Sequence, residues 1–302
     1  MEHPEMPGLD DTGFRLSPGV VQVRYARLIS DVTGVLSKGL SDCPVPYLSL
    51  LSDDERSRAG GYVFERDRIR YIAARGLLRL LLGRYLNTDG ATIQFGYNAF
   101  GKPALAGSFA GKLHFNLSHA GDWAVYAFAL DREVGIDIEP FHYDGPWRDM
   151  AASVFSRNEL AEFEAIPQPE KPWAFQRGWV RKEAYVKGRG EGLSYPLDAF
   201  AVPLAQLKER MPAMVMNHDD SAIRWSVCPL DLISGYASAL AVEGTPAGIT
   251  VFQWFDSTEA CEPANNAPHR LRAPDQAGIM PHAIGPSPGK KNIGSIFRRK
   301  QG

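Results

Sequence analysis

Asp137, Glu139, Glu183 and Lys187 are the residues whose types and spacing could do chemistry together. The two acids of the first pair sit in Val134-Gly135-Ile136-Asp137-Ile138-Glu139. Read as a strand, this stretch alternates between faces: Val134, Ile136 and Ile138 share an apolar one, and Asp137 and Glu139 share the other with Gly135. Two carboxylates in a strand otherwise fit for burial are costly to desolvate unless positive charge meets them. The second pair sits in Trp179-Val180-Arg181-Lys182-Glu183-Ala184-Tyr185-Val186-Lys187, read as a helix that brings Glu183 and Lys187 to one face. A hard cation such as magnesium takes a few carboxylate oxygens and completes its shell with water and substrate phosphates. Asp137, Glu139 and Glu183 are therefore candidate metal ligands, and Lys187 is a candidate point charge for a phosphate.

The elements that must position these groups are partly visible. Strand-like alternation runs through 14–29, and 30–46 reads as a loop. A helix start follows at Ser52, with Glu55 three residues on. A longer helix is expected over 65–86, where Ile69, Ile72, Ala73, Leu77, Leu80 and Leu81 recur at helical spacing. Arg68, Arg70, Arg75 and Arg79 belong to it. The plain reading of any one of these is a solvated face, and the functional one is that Arg75, or the nearby Arg58, reaches a phosphate through its fork of donors. The segment 95–103 is turn-rich. The runs 113–119, 123–130 and 134–139, joined by short connections, read as an antiparallel meander.

Beyond it comes a proline-bearing loop with His142, Trp147 and Arg148, then a helix over 156–165 capped by Ser156 with Glu159. The next helix tolerates Pro172 in its first turn and is expected to close at Gly188. The glycine-rich 188–193 has neither the strand-before, helix-after setting of a dinucleotide motif nor the ending of a P-loop. Strands are expected at 200–203, 222–228 and 236–242. A helix followed by strands thus occurs twice.

Composition sets the outer limits. The 302 residues can bury one large core or two ordinary ones. With 44% apolar and 23% charged residues and a formal net charge of −2, nothing suggests bulk nucleic-acid binding. Cys43, Cys228 and Cys261 are odd in number and lack metal spacing, so they read as thiols in a reducing compartment. No secretory signal and no bilayer-length apolar run is present, since 77–82 is short and broken by Arg79. The expectation is a cytoplasmic protein with no membrane and no nucleic-acid partner. From about 256 onward the composition turns to Pro, Ala, Asn and Gly and ends in a basic cluster, which reads as a disordered tail.

Gly101-Lys102-Pro103, Asn116-Leu117-Ser118-His119, Gly135-Ile136-Asp137-Ile138-Glu139 and the 179–187 stretch occur in that order. Together they resemble the 4′-phosphopantetheinyl transferase superfamily, in its larger monomeric branch named for the surfactin-synthetase activator. The resemblance implies an α+β pseudo-dimer of two similar halves, each a small, mainly antiparallel sheet packed with a long helix, with coenzyme A in the cleft between them. It implies transfer of the phosphopantetheine arm of coenzyme A to a serine of an acyl, peptidyl or aryl carrier protein, releasing adenosine 3′,5′-bisphosphate. Asp137, Glu139 and Glu183 match the family's magnesium carboxylates, with manganese as the alternative metal, and Glu183 also matches its general base. Lys187 matches a lysine on the pyrophosphate. His119, with Ser118 beside it, and Lys102 match coenzyme A contacts, while Arg58, Arg70 and Arg75 are candidates for the 3′-phosphate. Trp179 and Tyr185 read as core residues, and Lys182 as solvated. The expected organisation is a disordered 1–13, an N-terminal half over 14–131, a C-terminal half over 132–255 and a basic tail over 256–302. One chain supplies both halves, so a monomer is expected. The rival reading is a non-catalytic binder of coenzyme A or carrier protein with the same fold. The intact set of acids and lysine argues against it, because a binder needs no metal site.

Overall fold

An apolar strand with no polar face has to be covered on both sides, and Trp123–Ala129 (β5) is covered on both. On one side Ala124, Tyr126 and Phe128 pack against Leu77, Leu78, Leu81 and Leu82 of a long helix. On the other, Val125, Ala127 and Ala129 pack against Ile136, Ile138, Leu240 and Val242 of a second sheet. The result is a helix, two sheets face to face, and a second long helix on the far side.

The computed structural model describes residues 11–28, 47–141, 145–217 and 224–254. The strands in chain order are β1 (Val20–Arg27), β2 (Phe95–Tyr97), β3 (Pro103–Leu105), β4 (His114–Ala120), β5, β6 (Val134–Pro140), β7 (Phe200–Ala201), β8 (Ala213–Met214), β9 (Met216–Asn217), β10 (Trp225–Leu230), β11 (Tyr236–Glu243) and β12 (Gly248–Trp254). The helices are α1 (Asp53–Gly60), α2 (Glu65–Leu86), α3 (Trp147–Val154), α4 (Arg157–Ala165) and α5 (Lys171–Arg189). The first sheet runs β12-β1-β5-β4 and the second β6-β11-β10-β8. The mixed α+β architecture, with a sheet and a long helix on each side, is the one expected.

The local signals hold at the helix starts. Ser52 N donates to Glu55 Oε2 at 3.1 Å, and Ser156 N donates to Glu159 Oε2 at 2.7 Å. The meander does not hold. β5 pairs with β4 on one edge and β1 on the other, so no edge is left for β6. The chain crosses at 130–133 to the second sheet, where β6 pairs antiparallel with β11, Asp137 opposite Ala239.

Other expectations also change. Residues 95–103 form a hairpin with 104–105, Phe95 opposite Leu105, rather than turn alone. Trp147 and Arg148 open α3 instead of lying in a loop. α5 runs past Gly188 and closes at Gly190, which carries the left-handed φ of 74°. Asp11–Phe14 forms a 3-10 turn at the end of the segment expected to be disordered. β12 pairs in parallel with β1, Val20 opposite Gly248, which returns the end of the C-terminal half to the first sheet. The loop at 30–46, His142, Cys43, Cys261 and the tail from 256 lie outside the described residues.

Two charge clusters expected at the surface are internal. Glu55 of α1 meets Arg79 at 2.5 Å and Arg75 at 2.7 Å, and all three side chains are buried. Burial alone would raise the Glu55 carboxyl, but the two guanidinium groups outweigh it and hold it below the usual range. Lys182, at 0% exposure, meets Glu159 at 2.7 Å and donates to the carbonyls of Leu197 and Phe200, each at 2.7 Å. A periodic arginine or a helical lysine reads as solvated in sequence because its paired acid lies on another element.

Candidate active site

Gly135 decides how close α5 lies to β6. A Cβ at this position would stand 2.0 Å from Ala184 O and 2.3 Å from Gly188 N, so only glycine lets the helix backbone seat there. Two residues along the same face of β6 comes Asp137, fully buried. Seated this closely, α5 turns Lys187 toward it.

Lys187 Nζ donates to Asp137 Oδ1 at 2.6 Å and to Ser118 Oγ at 2.8 Å. Ser118 Oγ in turn donates to Asp137 Oδ1 at 2.9 Å. One point therefore joins β4 of the first sheet, β6 of the second and α5. Asn116, two residues before Ser118, ties the same strands: Ile136 N donates to its Oδ1 at 2.9 Å.

Glu183 lies one turn before Lys187 on α5 and is buried. Burial raises its pKa first and the Asp137 charge adds to that, against a lowering by Lys187, and the carboxyl is raised to about 7. A buried acid raised in this way calls for positive charge or a proton. Glu139, further along β6, accepts from Trp179 Nε1 at 3.2 Å.

The three acids form an all-oxygen donor set suited to a hard cation. Asp137 is bonded to Lys187 and Ser118, and Glu139 to Trp179. Among the described residues, no three His, Cys, Asp or Glu side chains gather as a ready metal group.

Two family models match the chain. The first, described as 4′-phosphopantetheinyl transferase superfamily, matches residues 133–241; the second, described as 4′-phosphopantetheinyl transferase, N-terminal, matches 45–130. The chain is 34% identical over 195 residues to the 4′-phosphopantetheinyl transferase HetI of Nostoc, covering 64% of this chain and 79% of the relative. The chain belongs to the 4′-phosphopantetheinyl transferase superfamily. It is also 31% identical over 163 residues to Sfp of Bacillus subtilis, covering 53% of this chain and 69% of Sfp. With the human L-aminoadipate-semialdehyde dehydrogenase-phosphopantetheinyl transferase it shares 31% identity over 166 residues, 52% of this chain and 54% of that protein. The two superfamily matches divide between 130 and 133, where the chain changes sheets.

Of the superfamily residues expected at the site, the structure gathers Ser118, Asp137, Glu183 and Lys187, with Glu139 along the same strand face. Lys102, Arg70, Arg75 and Arg58 have contacts outside this cluster. His119 follows Ser118 on β4, so the strand's alternation puts it on the opposite face. Lys102 Nζ meets Glu133 Oε2 at 2.5 Å and Gly188 O at 2.6 Å. Arg70 Nη2 meets Asp122 Oδ1 at 2.6 Å. Arg75, besides Glu55, donates to Tyr97 Oη at 3.2 Å. Arg58 is exposed, its guanidinium 5.5 Å from the centre of the Tyr97 ring.

Sequence reasoning missed Asn116, although its place two residues before Ser118 on one strand face was a usable signal. It also placed Trp179 in the core without its bond to Glu139. Among the described residues no helix is long and apolar enough to cross a membrane.

Proposed function

We propose that Asp137, Glu183 and Lys187, with Ser118 and Glu139 beside them, are where this transferase moves the 4′-phosphopantetheine arm of coenzyme A to a carrier-protein serine. The observation that supports this is the mutual bonding of Lys187, Ser118 and Asp137 at the meeting of β4, β6 and α5.

In the reaction the serine oxygen attacks the β-phosphorus, a new O–P bond forms, and the bond to adenosine 3′,5′-bisphosphate breaks. Glu183 takes the hydroxyl proton. A carboxylate within reach of the serine hydroxyl suits that task. Lys187, held beside Asp137, offers an ammonium to the pyrophosphate and to the negative charge that grows on its oxygens. Magnesium or manganese would be held by Asp137, Glu183 and Glu139, and when bound supplies Lewis-acid stabilisation of the phosphoryl oxygens. The chain acts as a monomer, since both sheets and both long helices come from one polypeptide.

The test is intact-mass analysis of apo acyl, peptidyl and aryl carrier proteins after incubation with coenzyme A and magnesium. Wild type adds one phosphopantetheine. Glu183→Gln and Asp137→Ala lose most of that gain, and chelating the metal removes it reversibly. Full activity in both variants would place the chemistry elsewhere. Coenzyme A binding without any mass gain across the panel would make the protein a binder.

A further inference from the structure

The last carbonyls of a helix have no partner within it. At the end of α5 two of them are met from the first half of the chain. Lys102 Nζ donates to Gly188 O and Asn98 Nδ2 donates to Gly190 O, both at 2.6 Å. Both donors sit at the tip of the β2–β3 hairpin. That tip is itself stiffened, because Asn98 Oδ1 accepts from Phe100 N at 3.0 Å and Lys102 N at 2.9 Å.

Glu133 holds the lysine from the crossing between sheets, and its other oxygen meets His114 Nδ1 at 2.9 Å. The fit is close: a Cβ on Gly190 would stand 2.9 Å from both Asn98 Nδ2 and Lys102 Cδ. A cation at a helix C-terminus also complements the helix dipole. The carbonyl that Lys102 grips belongs to the residue directly after Lys187.

We propose that Asn98 and Lys102 are positioning residues for the transfer: they clamp the end of α5 so that Lys187 and Glu183 stand at the right depth against β6. This rests on the reading of Lys187 and Glu183 as reacting-site groups. It gives Lys102 a task other than contact with coenzyme A. A clamp of this kind acts on the rate and not on substrate capture, because the groups it orients work hardest in the transition state.

The experiment compares wild type, Lys102→Met, Asn98→Ala, Lys187→Ala and the double variant Lys102→Met/Lys187→Ala, using coenzyme A and a carrier protein that wild type modifies. Lys102→Met lowers kcat about tenfold and Asn98→Ala about threefold, with KM for coenzyme A changed less than about twofold. The double variant is slower than Lys187→Ala alone by clearly less than the loss Lys102→Met causes by itself, because part of the clamp's effect runs through Lys187 and only the Glu183 part remains. A raised KM with unchanged kcat makes Lys102 a substrate contact and overturns the proposal. Losses that multiply in the double variant, or wild-type kcat in both clamp variants, also overturn it. Should Lys102→Met fail to fold, Asn98→Ala carries the same readouts. Wild-type activity in Lys187→Ala refutes the site reading itself, a separate failure.

Discussion

Adding one methyl group at Gly135 tests whether the seating of α5 on β6 controls the chemistry. In Gly135→Ala the new Cβ would lie 2.0 Å from Ala184 O, 2.3 Å from Gly188 N and 2.7 Å from Gly188 Cα. All three are backbone atoms, so no side chain can swing away. Ordinary contact begins near 3.4 Å, and the helix must therefore retreat by more than an ångström or the strand must bend. Overpacking of this kind costs about 1–3 kcal/mol. For a domain of this size that is a fall of roughly 2–12 °C in Tm. The same retreat draws Lys187 from Asp137 and Ser118 and shifts Glu183, and an ångström of misplacement slows transfer on the order of 10²-fold. Thermal unfolding followed by fluorescence reads the first effect, and time-resolved intact mass of a carrier protein reads the second. Gly96→Ala is the control, since its methyl meets nothing closer than 3.8 Å, and it is expected to match wild type. If Gly135→Ala melts and reacts like Gly96→Ala, the close approach of helix and strand has no bearing on the site.

Two further predictions follow from the buried charges. The Glu183 pKa is raised from 4.5 to about 7, so its contribution to stability is fully present below pH 4.5 and is lost as pH rises through about 7. In metal-free buffer Glu183→Gln should therefore gain Tm over wild type above neutrality and lose that advantage at acid pH; a difference independent of pH contradicts the shift. Glu55→Gln leaves Arg79 and Arg75 buried without their acid, and urea denaturation should show a loss of about 3–5 kcal/mol. A loss below 1 kcal/mol would mean the cluster relaxes into solvent.

Much of the fold was legible from neighbours along the chain. α2 spans the Glu65–Leu86 that its apolar spacing indicates, and two capping boxes mark the starts of α1 and α4. The alternation of 134–139 placed Asp137 opposite the apolar face, and four-residue spacing put Glu183 and Lys187 together. These signals act over one to four residues, so the sequence alone determined α1, α2, α4 and most of α5, and it put the candidate acids and lysine on shared faces.

The tertiary structure decided everything that depends on a distant partner. Nothing in 130–133 says whether β6 extends the first sheet or crosses to the second; the occupied edges of β5 decide it. The parallel pairing of β12 with β1 joins residues more than two hundred positions apart, with no local mark on either. Arg75, Arg79 and Lys182 look like solvated charges until an acid from another element buries them. Lys102 is a coenzyme A candidate by its match to the superfamily motif alone, and only the fold shows its ammonium bonded to Gly188 O at the end of α5 and to Glu133. A side chain's type and spacing set what it can do, whereas its partner, and therefore its charge environment and task, is set by chain segments that only folding brings near.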